Sequence, residues 1–167
     1  MKAIILFIGL SVSTLITHAQ VNDRDKKFVK ETIEGGLYEV KLSEVALIKS
    51  SSPQIKLLAK TIVEDHTKSN KELRELALKK GISAPNTLTD NAMMYFEKIS
   101  KTDGEKFDKA YTKCMKTDHK KEICKFKKEA KKGGDADLKT WAANNVPMLE
   151  SHKNMAKDAC KVIKENK

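Results

Sequence analysis

The chain has 167 residues, 33 Lys and Arg against 23 Asp and Glu for a formal net charge of +10, seven Gly, three Pro and nine aromatic residues. A 34% charged fraction with so few turn formers and aromatics excludes a sandwich or barrel and predicts one all-α domain of long amphipathic helices. Glycine-rich phosphate loops, the nucleophile elbow, His-Glu-x-x-His and paired Cys-x-x-Cys are absent, which removes the common nucleotide, hydrolase and zinc-protease signatures.

The first element is not a fold element. Met1-Lys2, the apolar run Ala3 to Leu10 and the small residues at 17 and 19 read as a secretory signal over residues 1–19, cut after Ala19. The domain is then 20–167, exported, periplasmic or secreted, with no transmembrane segment in the mature chain. Cutting there removes His18 and leaves His66, His119 and His152, while Cys114, Cys124 and Cys160 all remain.

Four long periodic segments follow, at 23–50, 53–80, 104–131 and 135–165, with a shorter one at 88–101. Ser52 is the expected N-cap and Pro53 the first helical residue of the second segment. Gly81 stops that segment, and Gly133-Gly134-Asp135 supplies a glycine stop and an acidic cap for the last one. Two antiparallel hairpins result, joined by a connection long enough to run back along the molecule, which suits a crossover bundle better than an up-and-down one.

On the first helix Phe28, Thr32, Gly35, Glu39, Leu42 and Ala46 share the inward face, so a carboxylate is predicted inside. Gly35-Gly36 in mid-helix costs about 1 kcal/mol per glycine relative to Ala, which implies room left for a neighbouring side chain. Steps of three and four place His66 between Ile62 and Ser69, His119 between Met115 and Ile123, and His152 between Met148 and Met155. All three histidines are therefore expected on core faces. Counting outward from the hairpin turns puts Glu39 level with His66 and His119 within about one turn of His152.

Three imidazoles and a carboxylate in one core suit a metal, so Glu39, His66, His119 and His152 are the candidate ligands. Asp65 and Asp118, each just before a histidine, are candidates for extra ligands or for acceptors of ring N–H groups. Zinc or iron fits nitrogen and oxygen donors; Met115 and Met148, each four residues before a histidine, bring thioethers that admit copper. The alternative for the same pattern is a set of core histidines that satisfy one another in a non-catalytic envelope module with no metal, its methionines simply filling the core.

Of the 33 basic residues only Arg24 and Arg74 are arginine, and no aromatics interleave with the lysines. This charge reads as a solvated helical surface and not as a nucleic-acid interface, with weak contact to an anionic envelope surface as its electrostatic use. Three cysteines leave one odd thiol; Cys114 with Cys160 is the nearest pairing in level, offset by about 10 Å.

The stretches Glu34 to Val40, Ile62 to Leu73, Met115 to His119 and Leu149 to His152 resemble the bacterial domain-of-unknown-function family 4142. That resemblance implies an exported protein, in some members described as of the outer membrane, with a ferritin-like four-helix bundle; it implies no established activity. The Glu-x-x-His pattern of di-iron bundles is broken at Val63 and Leu149. Storage, sensing or stress protection is accordingly expected before turnover.

Overall fold

Asn22, Ser52, Thr89 and Asp135 each accept a free N–H group at the start of a helix, whereas Asp103, before the fourth, makes no such bond. The computed structural model describes residues 21–165, so the expected signal at 1–19 lies outside the described residues. Asn22 accepts the Asp25 N–H at 3.1 Å while the Asp25 carboxylate accepts the Asn22 N–H at 2.9 Å, a capping box that starts α1 at Asp23–Lys49. Ser52 caps α2, Pro53–Lys79, with Pro53 in its first turn as expected. The chain then turns through Gly81 at φ 67°, a left-handed conformation that glycine adopts without a Cβ penalty.

Thr89 caps the short helix α3, Asp90–Ser100, and α4 runs Gly104–Lys132. Asp135 then accepts the N–H groups of Asp137 and Leu138, each at 3.0 Å, and opens α5 at Ala136–Glu165. The described residues hold five helices and no strand, the all-α composition that the low aromatic and turn content predicts. None of these helices is long and apolar enough to cross a membrane.

Two lysines mark how the helices run. Lys49, at the end of α1, donates to the Ser100 and Thr102 carbonyls at 2.6 and 3.0 Å and to Asp103 at 2.7 Å. The C-terminus of α1 therefore meets the N-terminus of α4. At the other end Lys80 reaches Asp135 at 2.7 Å and Asp137 at 2.6 Å, which joins the end of α2 to the start of α5. α1 packs on α2 and α4, and α5 packs on α4 and α2, with α3 lying outside against α1 and α4. The segment from Gly81 to Asp103 thus carries the chain back along the molecule, so that α2 and α4 run in the same direction.

The core is not continuous. One apolar cluster joins Phe28, Ile33, Leu73, Phe126 and Leu138 with their neighbours, and the other joins Leu42, Leu58, Ile62, Tyr111 and Ala156 with theirs. Between them each long helix contributes buried polar residues at one level: Glu39, His66 with Asn70, His119 with Glu122, and His152. The buried line of α5 differs from the expected one. Leu138, Ala142, Leu149, His152, Ala156 and Ala159 are buried, whereas Trp141, Asn145, Met148 and Met155 are half-buried at its edge. Two rows of a helix satisfy steps of three and four equally, and only the neighbouring helices choose between them.

Gly35 and Gly36 leave the room that their mid-helix position implies. A Cβ on Gly36 would stand 2.5 to 2.8 Å from the side-chain amide of Asn70, and one on Gly35 would stand 3.2 Å from Glu122 Oε1. At the far end of the molecule Asp25 also accepts the N–H groups of Gly134 at 2.8 Å and Asp135 at 3.1 Å. Burial acts against the Asp25 charge, but the N–H donors of Asn22, Gly134 and Asp135 outweigh it and hold the carboxyl below its ordinary range. Burial, and then the neighbouring Asp25, push Glu129 up to about 7.

Two consequences are measurable. Gly36→Ala should lower stability by about 1–2 kcal/mol in urea unfolding despite the better helix propensity of Ala, because overpacking outweighs it; adding Asn70→Ala should recover most of the loss. Because the folded pKa of Glu129 lies above its ordinary 4.5, its contribution is complete below that value and is lost as pH rises through about 7. Between about pH 5.5 and about pH 8.5 the parent should therefore lose about 1–3 kcal/mol more stability than Glu129→Gln.

Candidate metal centre

The polar layer is built from one turn of each long helix. Buried apolar residues three or four positions away, among them Leu42, Ile62, Met115, Ile123 and Leu149, flank these turns, so their polar side chains meet one another and not water. His66, His119 and His152 are 4%, 0% and 1% exposed, and Glu39 is 1% exposed. His119 stands at the centre: its Nε2 lies 3.3 Å from His66 Nε2 and 3.2 Å from His152 Nδ1. The Glu39 oxygens lie 3.4 Å from His66 Nε2 and 3.3 Å from His119 Nδ1, and neither makes a hydrogen bond.

The outer partners decide which ring nitrogens carry protons. His119 Nδ1 lies 2.9 Å from the Met115 carbonyl oxygen, which can only accept, so Nδ1 carries the hydrogen and Nε2 is left with a bare lone pair. His152 Nε2 likewise donates to Asp65 Oδ2 at 2.8 Å, which leaves Nδ1 bare. Two lone pairs then face each other across 3.2 Å. Protonating His152 would relieve this, but burial, acting against Asp65, holds its pKa below 6.5. Burial and the other imidazoles likewise hold His66 well below its ordinary value, and burial with His152 holds His119 down at about 3.

The nitrogen spacing matches a coordination shell. Ligands about 2.0–2.1 Å from a tetrahedral ion stand about 3.3 Å apart, and His119 Nε2 lies 3.3 and 3.2 Å from the ring nitrogens of His66 and His152. Donor atoms of His66, His119 and His152 lie within 4.8 Å of one another, as do those of Glu39, His66, His119 and Glu122. The four expected ligands are thus spread over two overlapping groups that share His66 and His119. Glu39 and His152 fall in different ones.

The other expected residues take other positions. Asp65 accepts the ring N–H of His152, whereas Asp118 bonds the Cys114 thiol at 3.1 Å and Lys121 at 3.3 Å and touches no imidazole. Met115 is fully buried and meets His119 through its carbonyl oxygen, while Met148 is half-buried at the edge of α5. The three cysteines are free, so the Cys114–Cys160 pairing is not formed; Cys114 Sγ lies 3.4 Å from Tyr38 Oη instead. The odd count alone could not reveal that Cys114 faces Tyr38 on α1 and Asp118 one turn further along α4.

Glu122 is the donor that the sequence pattern passes over. It sits three residues after His119 and Ile123 four after, both are buried, and the apolar stripe favours Ile123. The available signal was Gly35, whose missing side chain makes room for a carboxylate on the facing helix. Burial is the largest influence on Glu122, opposed by Lys125 and assisted by Asp118, and its pKa rises to about 7. Glu39 is pushed well above its ordinary value by burial and then by Glu122. Neutral imidazoles and carboxyls that resist ionisation are what a dry layer imposes on these groups, and a cation placed among them would reverse that preference for the carboxyls.

Comparisons with known proteins agree with this architecture. A crystal structure of a DUF305 fragment from Deinococcus radiodurans superposes with a TM-score of 0.74 at 11% identity, over 85% of this chain and 98% of that one. At that identity the likeness concerns the helical fold alone. No curated protein matches the chain. Residues 12–159 match the family described as Domain of unknown function (DUF4142), and the chain belongs to that family.

Proposed function

We propose that this protein binds a transition-metal ion in the polar layer, held by His66, His119 and His152 with Glu39 and Glu122 beside them. The observation that carries the reading is the pair of bare lone pairs on His119 Nε2 and His152 Nδ1, 3.2 Å apart, with both tautomers set by acceptors on the far side of the rings. A cation between them turns a repulsive contact into two bonds. The Met115 carbonyl and Asp65 are the kind of partner that orients imidazole ligands from behind. Nitrogen and carboxylate donors suit zinc or iron, and copper through imidazole alone.

The rest of the reading concerns context. Two hairpins, a long crossover and ligands on four facing helices support a ferritin-like four-helix arrangement, though the donor set has more imidazole and less carboxylate than a di-iron site. The apolar start of the chain supports export to the periplasm or beyond, where the lysine surface would meet anionic envelope material weakly. A site so enclosed suits storage, sensing or protection better than turnover, since a substrate needs room at the ion. The competing reading is an envelope module in which the same side chains only satisfy one another.

The test is the metal content of protein purified without a histidine tag, measured before and after incubation with zinc and removal of the excess. One ion per chain is expected, with a melting temperature raised by about 10 °C at a zinc concentration near 100 Kd. His119→Ala should abolish both effects, because His119 belongs to both ligand groups and its Nε2 lies nearest the other two imidazoles. A parent chain that retains no metal and melts at the same temperature with and without zinc would support the metal-free module instead.

A further inference from the structure

The polar layer is closed by tight hairpin packing on two sides, yet it is not sealed. A cleft of about 860 Å³ lies between α1, α3 and α4, and both Glu39 and Glu122 line it. A second hollow of about 730 Å³ lies further along the α1–α4 seam, and Glu31, Gly35, Asp118, Lys121 and Glu122 line both. Glu122 is therefore reached from outside by either opening, although it is only 7% exposed. Its Oε2 is buried without a hydrogen-bond partner.

The walls of the cleft grade from wet to dry. At the outer end the side chains of Glu31 and Asp118 are 48% and 33% exposed. Further in, the half-buried Cys114 thiol donates to Asp118 and lies beside the Tyr38 hydroxyl. Burial, followed by the nearby Asp118, pushes that thiol upward, so it remains a neutral donor. Gly35 keeps the inner end open, since even a Cβ there would press on Glu122 Oε1. Glu31, Glu34 and Asp118 line this cleft with Lys98, Lys113 and Lys121, and the buried carboxyls of Glu39 and Glu122 close its inner end.

Resting on the metal-site reading, we infer that the α1–α4 seam is the loading route by which a divalent cation reaches the polar layer. Glu31 and Asp118 draw the ion in at the mouth, and Glu122 receives it before it passes to the imidazoles. Lys121, which lies in both openings and pairs with Asp118 at 3.3 Å, opposes the approach. These residues govern how fast the ion arrives, while the imidazoles govern how tightly it stays.

The probe is cobalt(II) added to the metal-free chain, with its visible absorption followed by stopped-flow at low ionic strength. Glu31→Gln/Asp118→Asn should slow association by at least about threefold while leaving the final stoichiometry unchanged, and added salt should shrink the difference. Lys121→Gln should load faster than the parent, an effect that damage to the fold would not produce. Should the double variant lose helical circular dichroism, Glu31→Gln alone carries the same comparison. Association within about twofold of the parent, or slower loading by Lys121→Gln, overturns the route while leaving the site intact. A parent that takes up no cobalt overturns the route together with the site.

Discussion

Everything distinctive about this molecule follows from withdrawing five titratable side chains from water at one level of its core. Glu39, His66, His119, Glu122 and His152 are each at least nine-tenths buried, and four helices meet at their level. Desolvation disfavours the charged form of each, so the imidazoles are held neutral and the carboxyls are driven toward protonation. A layer of this kind stabilises a fold poorly by comparison with leucine and valine. Under the metal-binding proposal a cation would offset the desolvation of the carboxylates and accept the lone pairs of His119 Nε2 and His152 Nδ1.

Several structural features support that layer. The apolar clusters on either side keep water from it and anchor the helix turns that carry it. Gly35 and Gly36 sacrifice helix propensity so that Glu122 and Asn70 can come close to α1. The Met115 carbonyl and the Asp65 carboxylate lie behind two of the rings and direct their free nitrogens inward. Lys49 and Lys80 tie opposite ends of the molecule, joining α1 to the start of α4 and α2 to the start of α5.

The charge of the chain has two separate expressions. Its lysines lie mainly on solvated helix faces, where pairs such as Lys60 with Glu64 contribute little to stability. The carboxylates of Glu31, Glu34 and Asp118 gather on one cleft of the α1–α4 seam, where they offset its lysines. A cation approaching the molecule would meet less repulsion at that cleft than over the average surface, which is the electrostatic basis of the proposed route.

The helices, the caps at Ser52 and Asp135 and the inward faces of His66, His119, His152 and Glu39 were legible in the sequence, because periodicity and cap chemistry act over a few residues and leave their mark in local order. The sequence could not choose between adjacent rows on a helix. It could not tell Leu149 from Met148 on α5, or detect Glu122 beside Ile123, since both rows satisfy the same period. Asp65 and Asp118 occupy equivalent places before a histidine, yet one supports His152 and the other bonds Cys114. Which of two equivalent residues becomes part of the centre was decided only by tertiary structure, because burial and hydrogen-bond partners belong to the neighbouring helix and not to the residue's own stretch of chain.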